Sequence, residues 1–175
     1  MHKYFVSIGS NINPHQNVIG ALHHLFDLAP QLHLSRIIET EPSGGVAGSN
    51  FLNFTVCLYS PENEFDLKSE FNQIETTMGR NRDDVDKKKQ SRTIDLDILF
   101  ALDPEETRVE KHLIPQESYL SKTLLELLYF LNIEVSLPPP VLPEGIELFM
   151  QTIVIGKSPI TLSKQVDTHL IYVGE

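Results

Sequence analysis

The chain has 175 residues, 41% hydrophobic and 22% charged, with a formal net charge of −10. That balance describes a globular protein with enough chain for a core, and it excludes long disordered tracts. It also argues against nucleic acid or an anionic membrane as partner, because either would need clustered cations, whereas a small anionic ligand needs only a few well-placed arginines.

The opening stretch, KYFVSIGSN, reads as a strand that ends at Gly9. NPHQNVIGALHHLFDLA follows with Val18, Leu22, Leu25, Phe26 and Ala29 on one helical face, and Asn13 before Pro14 is the expected N-cap. LHLSRIIETE is predicted as one strand, and residues 42–50, with three glycines, a proline and two serines, as a flexible loop. FLNFTVCLY alternates Leu52, Phe54, Val56 and Leu58 against Phe51, Asn53, Thr55 and Cys57, the period of a strand. A second helix runs through Phe65, Leu67, Phe71, Ile74 and Met78 and stops at Gly79.

Residues 80–92 are polar except for Val85 and are expected to form a long mobile loop. RTIDLDILF is the next strand, and SYLSKTLLELLYFLN a third helix. The proline-rich SLPPPVLPEG could be a polyproline ligand but reads better as a surface connector. A short helix or strand and a tail complete the chain. The order strand, helix, strand, strand, helix, strand is that of an α+β, ferredoxin-like fold, an antiparallel sheet with helices on one face. Residues 1–175 are read as one domain, without internal repeats, with the role of 157–175 open. A lone cysteine, Cys57, excludes an internal disulfide, and neither the N-terminal apolar run nor LLELLYFL is long enough for a signal peptide or a membrane span. A cytoplasmic protein, monomeric or weakly homodimeric, is expected.

Chemistry concentrates around Asp95 and Asp97. On a strand they share a face, roughly 6–7 Å apart, while Ile94, Leu96 and Ile98 point the other way. Two like charges at that spacing need a cation, and a hard divalent ion such as magnesium suits two carboxylates plus substrate phosphates. A solvated sheet face is the plain alternative for an isolated pair. Here, however, Arg80, Arg82, Lys87, Lys88, Lys89 and Arg92 place six of the chain's 14 cations within thirteen residues just before it. Arginine forks beside paired carboxylates are the combination expected for phosphoryl transfer. Asn53 could read the edge of a flat heterocycle on which Phe51 stacks.

SIGSN, TEPSGG followed by FLNFTV, IETTMGRNR and above all RTIDLDILF resemble the 6-hydroxymethyl-7,8-dihydropterin pyrophosphokinases of folate biosynthesis. The resemblance runs from about residue 3 to 100 and more weakly to about 150. It implies a ferredoxin-like core with mobile active-site loops, and transfer of pyrophosphate from ATP to the pterin hydroxymethyl group, leaving AMP. It further implies two Mg²⁺ ions on Asp95 and Asp97, and phosphates held by Arg80, Arg92 and Arg82. The pterin would meet Asn53, Phe51 and the backbone of Thr40, Pro42 and Ser43, with Gln73 and Glu75 near the nucleotide. The sequence departs from the family where a His, an Arg and a stacking Phe are expected: Gln116, Lys122 and Leu124 stand there, and the chain has no tryptophan. Gln116 and Lys122 would still serve the nucleotide. The departures leave a non-catalytic or weakly active pterin- or nucleotide-binding relative as the alternative.

Overall fold

The structure, a computed structural model, describes residues 1–42, 48–80 and 92–175. Its elements are β1 (His2–Ser10), α1 (Pro14–Leu28), β2 (Gln31–Leu34), β3 (Ile38–Thr40), β4 (Phe51–Ser60), α2 (Glu64–Thr77) and β5 (Asp95–Leu102). They continue with β6 (Arg108–Val109), α3 (Ser118–Phe130), β7 (Glu134–Val135), β8 (Leu148–Met150), β9 (Ile153–Ile155), β10 (Ile160–Lys164) and β11 (Ile171–Val173). The main sheet runs β11-β10-β2-β4-β1-β5, with β3 also paired to β4, and its ladders are antiparallel. The stretch β5-β1-β4-β2 is the strand order of a split βαβ pair, so the α+β architecture expected from the element order is present.

Side-chain alternation divides the core in two. Tyr4, Val6 and Ile8 of β1, and Leu52, Phe54, Val56 and Leu58 of β4, pack on one face with the apolar stripes of α1 and α2. Phe5 and Cys57 point to the opposite face, where α3 covers them with Leu124, Leu125, Leu127 and Leu128. The first two helices therefore lie on one face, and the third on the other. Burial on both sides explains why Thr55 is fully enclosed; its hydroxyl meets that of Thr123 on α3 at 2.9 Å.

Several local expectations change. The stretch 32–41 is two strands, because the backbone of 36–37 bonds elsewhere: the amide and Nε of Arg36 both donate to Glu126 of α3, at 2.9 and 2.7 Å, and the Ile37 amide donates to the Gly156 carbonyl. Asn13 does not cap α1 with its side chain; it takes a left-handed conformation (φ 40°), which asparagine tolerates, and the Asn17 amide bonds the Ile12 carbonyl instead. Phe65 is 82% exposed and lies off the apolar face of α2, whose start is capped by Asn63 accepting from the Asp66 amide. The last residues join the main sheet, since β10 pairs with β2 and β11 with β10.

A bulge in β5 sets where its side chains go. Phe5 pairs with Phe100, but the next residue, Val6, pairs with Ile98. Leu99 is the extra residue, so Leu99 and Phe100 both turn toward α3, and the Phe5 and Phe100 rings lie 4.9 Å apart. Ile94, Leu96 and Ile98 face the α1–α2 layer as expected, and the bulge turns Leu99 and Phe100 away from it.

The Arg36–Glu126 bond is the side-chain link between the break in the second strand and α3. Glu126→Ala should cost about 1–3 kcal/mol, because it strands a backbone amide and a guanidinium that are both partly enclosed. Urea unfolding should show a lower midpoint with an unchanged slope.

Candidate active site

The α3 side of the sheet is where the chemistry-bearing residues meet. In register across three strands, Asp95 of β5 faces Gly9 of β1, which faces Asn53 of β4. One step along, Asp97 faces Ser7, which faces Thr55. Gly9 contributes no side chain, so the row drops to bare backbone between the carboxylate and the amide, a trough into which Asn53 Oδ1 leans. A Cβ on Gly9 would lie 2.8 Å from Asn53 Oδ1 and 3.9 Å from the Phe51 ring, which is why the position suits glycine. Asn53 is 8% exposed and donates to Thr40 Oγ1 at 2.5 Å. Thr40 pairs with Phe51 in the β3–β4 ladder, which groups Thr40, Phe51 and Asn53 at one end of the trough.

Asp95 forms the other end. It takes ion pairs from Arg80 (Nη1 to Oδ1, 2.6 Å) and from Arg92 on its second oxygen. Burial pushes its carboxyl up, but Arg92 and Arg80 together outweigh burial and hold it below the usual carboxylate range. Arg80 also pairs with Glu75 at 2.8 Å. Glu75 is fully buried, and its other oxygen accepts the Leu96 amide at 2.8 Å. Glu75, expected near the nucleotide, has its carboxylate turned inward, where it orients Arg80.

The SIGSN segment is the strut for Arg92. Ser10 donates to the Thr93 carbonyl, the Arg92 amide donates to Asn11 Oδ1 at 2.6 Å, and the amides of Asn11 and Ile12 both reach the Arg92 carbonyl. These bonds span eighty or more residues of sequence, and no local spacing signals them.

Asp97 is more open, with a side chain 54% exposed, and pairs with Lys68 of α2 at 3.0 Å. The start of α3 closes this side: Tyr119 feels the charges of Asp95, Asp97 and Arg92, and burial first, then Glu117 and the two aspartates, raise its hydroxyl pKa, so it stays a donor. Lys68, Tyr119 and Gly9 are site residues that the sequence reading passed over.

The remaining expected residues divide as follows. Gln73 is exposed on α2, Gln116 is exposed just before α3, Lys122 is half-buried on its second turn, and Pro42 is half-buried beyond β3. Among the described residues, none of these side chains bonds to the group around Asp95. Leu124, placed from the resemblance at a stacking wall, is 0% exposed in the α3 core. Ser43, Arg82, Lys87, Lys88 and Lys89, and with them the expected mobility of 81–91, lie outside the described residues.

The model of the 7,8-dihydro-6-hydroxymethylpterin-pyrophosphokinase family matches residues 5–133, from β1 to just past α3. The chain belongs to this family. A Bacillus subtilis protein named 2-amino-4-hydroxy-6-hydroxymethyldihydropteridine pyrophosphokinase is 32% identical over 114 residues, covering 63% of this chain and 66% of that protein. A Lactococcus lactis protein named bifunctional protein FolKE is 27% identical over 147 residues, covering 77% of this chain and 41% of its relative. The pyrophosphokinase match thus contains the whole trough and α3, while β7 to β11 lie beyond it.

The pairing of Asp95 carries a pH signature. A carboxyl held below its unfolded value of about 3.9 adds stability above that pH and loses it as pH falls through the lower, folded value. Asp95→Asn should therefore be less stable than the natural chain near neutrality, with the gap closing below about pH 4. Thermal midpoints measured across that range test this directly.

Proposed function

We propose that this chain transfers the β,γ-pyrophosphoryl unit of ATP to the hydroxymethyl group of 6-hydroxymethyl-7,8-dihydropterin, giving the pterin diphosphate and AMP in folate biosynthesis. The observation that carries the reading is the row Asp95–Gly9–Asn53. It sets a carboxylate with two arginines at one end of a trough and a buried amide beside an aromatic ring at the other. Phosphate chemistry suits the first end and a flat heterocycle the second.

In this reading the pterin stacks on Phe51, its amide edge meets Asn53, and the backbone of Thr40, Pro42 and Ser43 completes the pocket. The hydroxymethyl oxygen then points along the trough toward Asp95. That oxygen bonds to the β-phosphorus, the bond from this phosphorus to the α–β bridging oxygen breaks, AMP leaves, and the hydroxyl proton is released. Before any ligand arrives the Arg80 guanidinium is held by Glu75, and Asn11 holds the backbone of Arg92, whose guanidinium pairs with Asp95. Both guanidiniums can neutralise developing charge without first reorganising. Arg82 assists from its loop, Gln116 meets the nucleotide from just before α3 and Lys122 from α3, and Gln73 does so from α2.

Asp95 and Asp97 would hold Mg²⁺, with two ions expected. The donor set fits a hard cation: hard oxygen donors on one strand face. No group of three or more His, Cys, Asp or Glu among the described residues could hold an ion alone. Phosphate oxygens and water would complete the shell, as magnesium prefers. Bound there, magnesium would stabilise charge on the phosphates.

No helix among the described residues is long and apolar enough to cross a membrane. A cytoplasmic location, and a monomer or weak homodimer, are part of the proposal. The burial of Leu124, with Gln116 and Lys122 beside it in sequence, favours the second reading, a weakly active or purely binding relative.

AMP formation from ATP, with and without the hydroxymethylpterin, tests the activity. Pterin-dependent AMP is expected; pterin binding without AMP would establish the second reading. Asp95→Ala and Asp97→Ala should lower turnover on the order of a hundredfold or more, and retention of near-natural rates at saturating Mg²⁺ would refute the metal assignment. Gly9→Ala should weaken pterin binding by about two- to tenfold through displacement of Asn53 while leaving nucleotide affinity unchanged. Calorimetry with each ligand separates the two.

A further inference from the structure

Lys68 lies on α2, two turns before Glu75, and reaches the outer edge of β5. Its ammonium donates to the Leu96 carbonyl at 2.6 Å and to Asp97 Oδ1 at 3.0 Å. The two bonds differ in kind. Leu96 O is a backbone acceptor on the edge strand, so the first bond holds the ammonium beside Asp97 whatever Asp97 itself binds. The second occupies one of the carboxylate oxygens that the proposed metal would need. Asp95, two residues away, is already covered by two arginines, which leaves Asp97 as the more open limb of the pair.

We infer that Lys68 is a built-in counter-ion of Asp97 that opposes a bare divalent cation and favours one arriving with a polyphosphate. The inference rests on the metal reading given above. A tethered positive charge next to a carboxylate competes with an entering cation for the same oxygen and repels it after entry. The same charge attracts phosphate oxygens. With Lys68 in place, the free protein binds the ion weakly, and the nucleotide strengthens that binding by more than its own oxygens would. Metal loading is thereby tied to nucleotide loading, a coupling that is reciprocal between the two ligands.

The pair is partly exposed, with side chains 36% and 54% accessible, so the effect is moderate rather than absolute. Replacing Lys68 by Met keeps the length of the aliphatic stem along α2 and removes the charge. Mn²⁺, followed by the magnetic resonance signal of the free ion, is the probe. It is titrated into the full chain alone and in the presence of α,β-methylene-ATP, whose bridging carbon blocks the bond that would break.

Lys68→Met should bind Mn²⁺ about two- to tenfold more tightly than the natural chain when no nucleotide is present. The strengthening of Mn²⁺ binding by the analogue should shrink. Lys68→Arg, which keeps the charge, should behave as the natural chain does. Lys164→Met removes one charge four strands away, on β10, and should change nothing. If Lys68→Met misfolds, Lys68→Gln is measured in its place. Unchanged Mn²⁺ affinity in the charge-removed variant, or equal tightening in Lys164→Met, overturns the inference. Asp97→Asn separates it from the reading beneath it. If that variant binds Mn²⁺ as tightly as the natural chain, the metal reading and the inference fall together. If it loses the ion while Lys68→Met gains nothing, the inference alone falls.

Discussion

Leu96 lies on the outermost strand of the sheet, and its amide and carbonyl both point away from β1. An edge strand with unpaired backbone groups is open to pairing with other chains and to the cost of burying those groups unsatisfied. Here the amide is taken by Glu75 and the carbonyl by Lys68, both from α2. Two side chains of opposite charge, seven residues apart on one helix, therefore close the edge of the sheet at one residue. The remainder of the site depends on this closure. Glu75 would be a costly buried carboxylate without the Leu96 amide and Arg80. Arg80 would have no fixed approach to Asp95 without Glu75. Asp97 would face Asp95 without a cation of its own if Lys68 were elsewhere.

The ligand-free site is accordingly prepared by charge pairing. Asp95 is covered by Arg80 and Arg92, and Asp97 by Lys68. Two of these cations have a second anchor of the protein's own making, Glu75 for Arg80 and the Leu96 carbonyl for Lys68, while Arg92 is held at its backbone by Asn11. Side chains with one partner in the site and one outside it lose little further freedom when a ligand arrives, which is the physical content of preorganisation. The price is that an entering cation must compete with groups already satisfied.

The bulge at Leu99 and the placement of α3 determine how far the trough extends. Before the bulge, the α3 face of β5 carries Asp95 and Asp97; beyond it, Leu99 and Phe100 both turn to that face and close it with apolar contacts. Thr55 and Thr123 meet just where the trough ends. Cys57, buried further along, has a thiol pushed up to about 12 by burial, which makes it a packing residue rather than a nucleophile. One face of a single sheet is thus divided between polar chemistry at one end and a core at the other.

Alternation and periodicity in the sequence determined the first two helices, the strands that flank them, the shared face of Asp95 and Asp97, and the split βαβ order, because each of these rests on residues close together in the chain. SIGSN and RTIDLDILF could be recognised as a family's motifs, yet that Ser10 and Asn11 hold the Arg92–Thr93 backbone had no local signal. The same is true of the Glu75 and Lys68 bonds to Leu96, the break at Arg36–Ile37 demanded by Glu126 and Gly156, and the return of β10 to the edge of β2. Leu124 shows the limit from the other side: aligned in sequence with a stacking wall, it points into the core, because the packing of α3 on Phe5 and Cys57 decides which side of the helix is buried. Contacts of this kind join backbone and side chains far apart in sequence, and only the tertiary structure, which must satisfy every buried polar group at once, decides them.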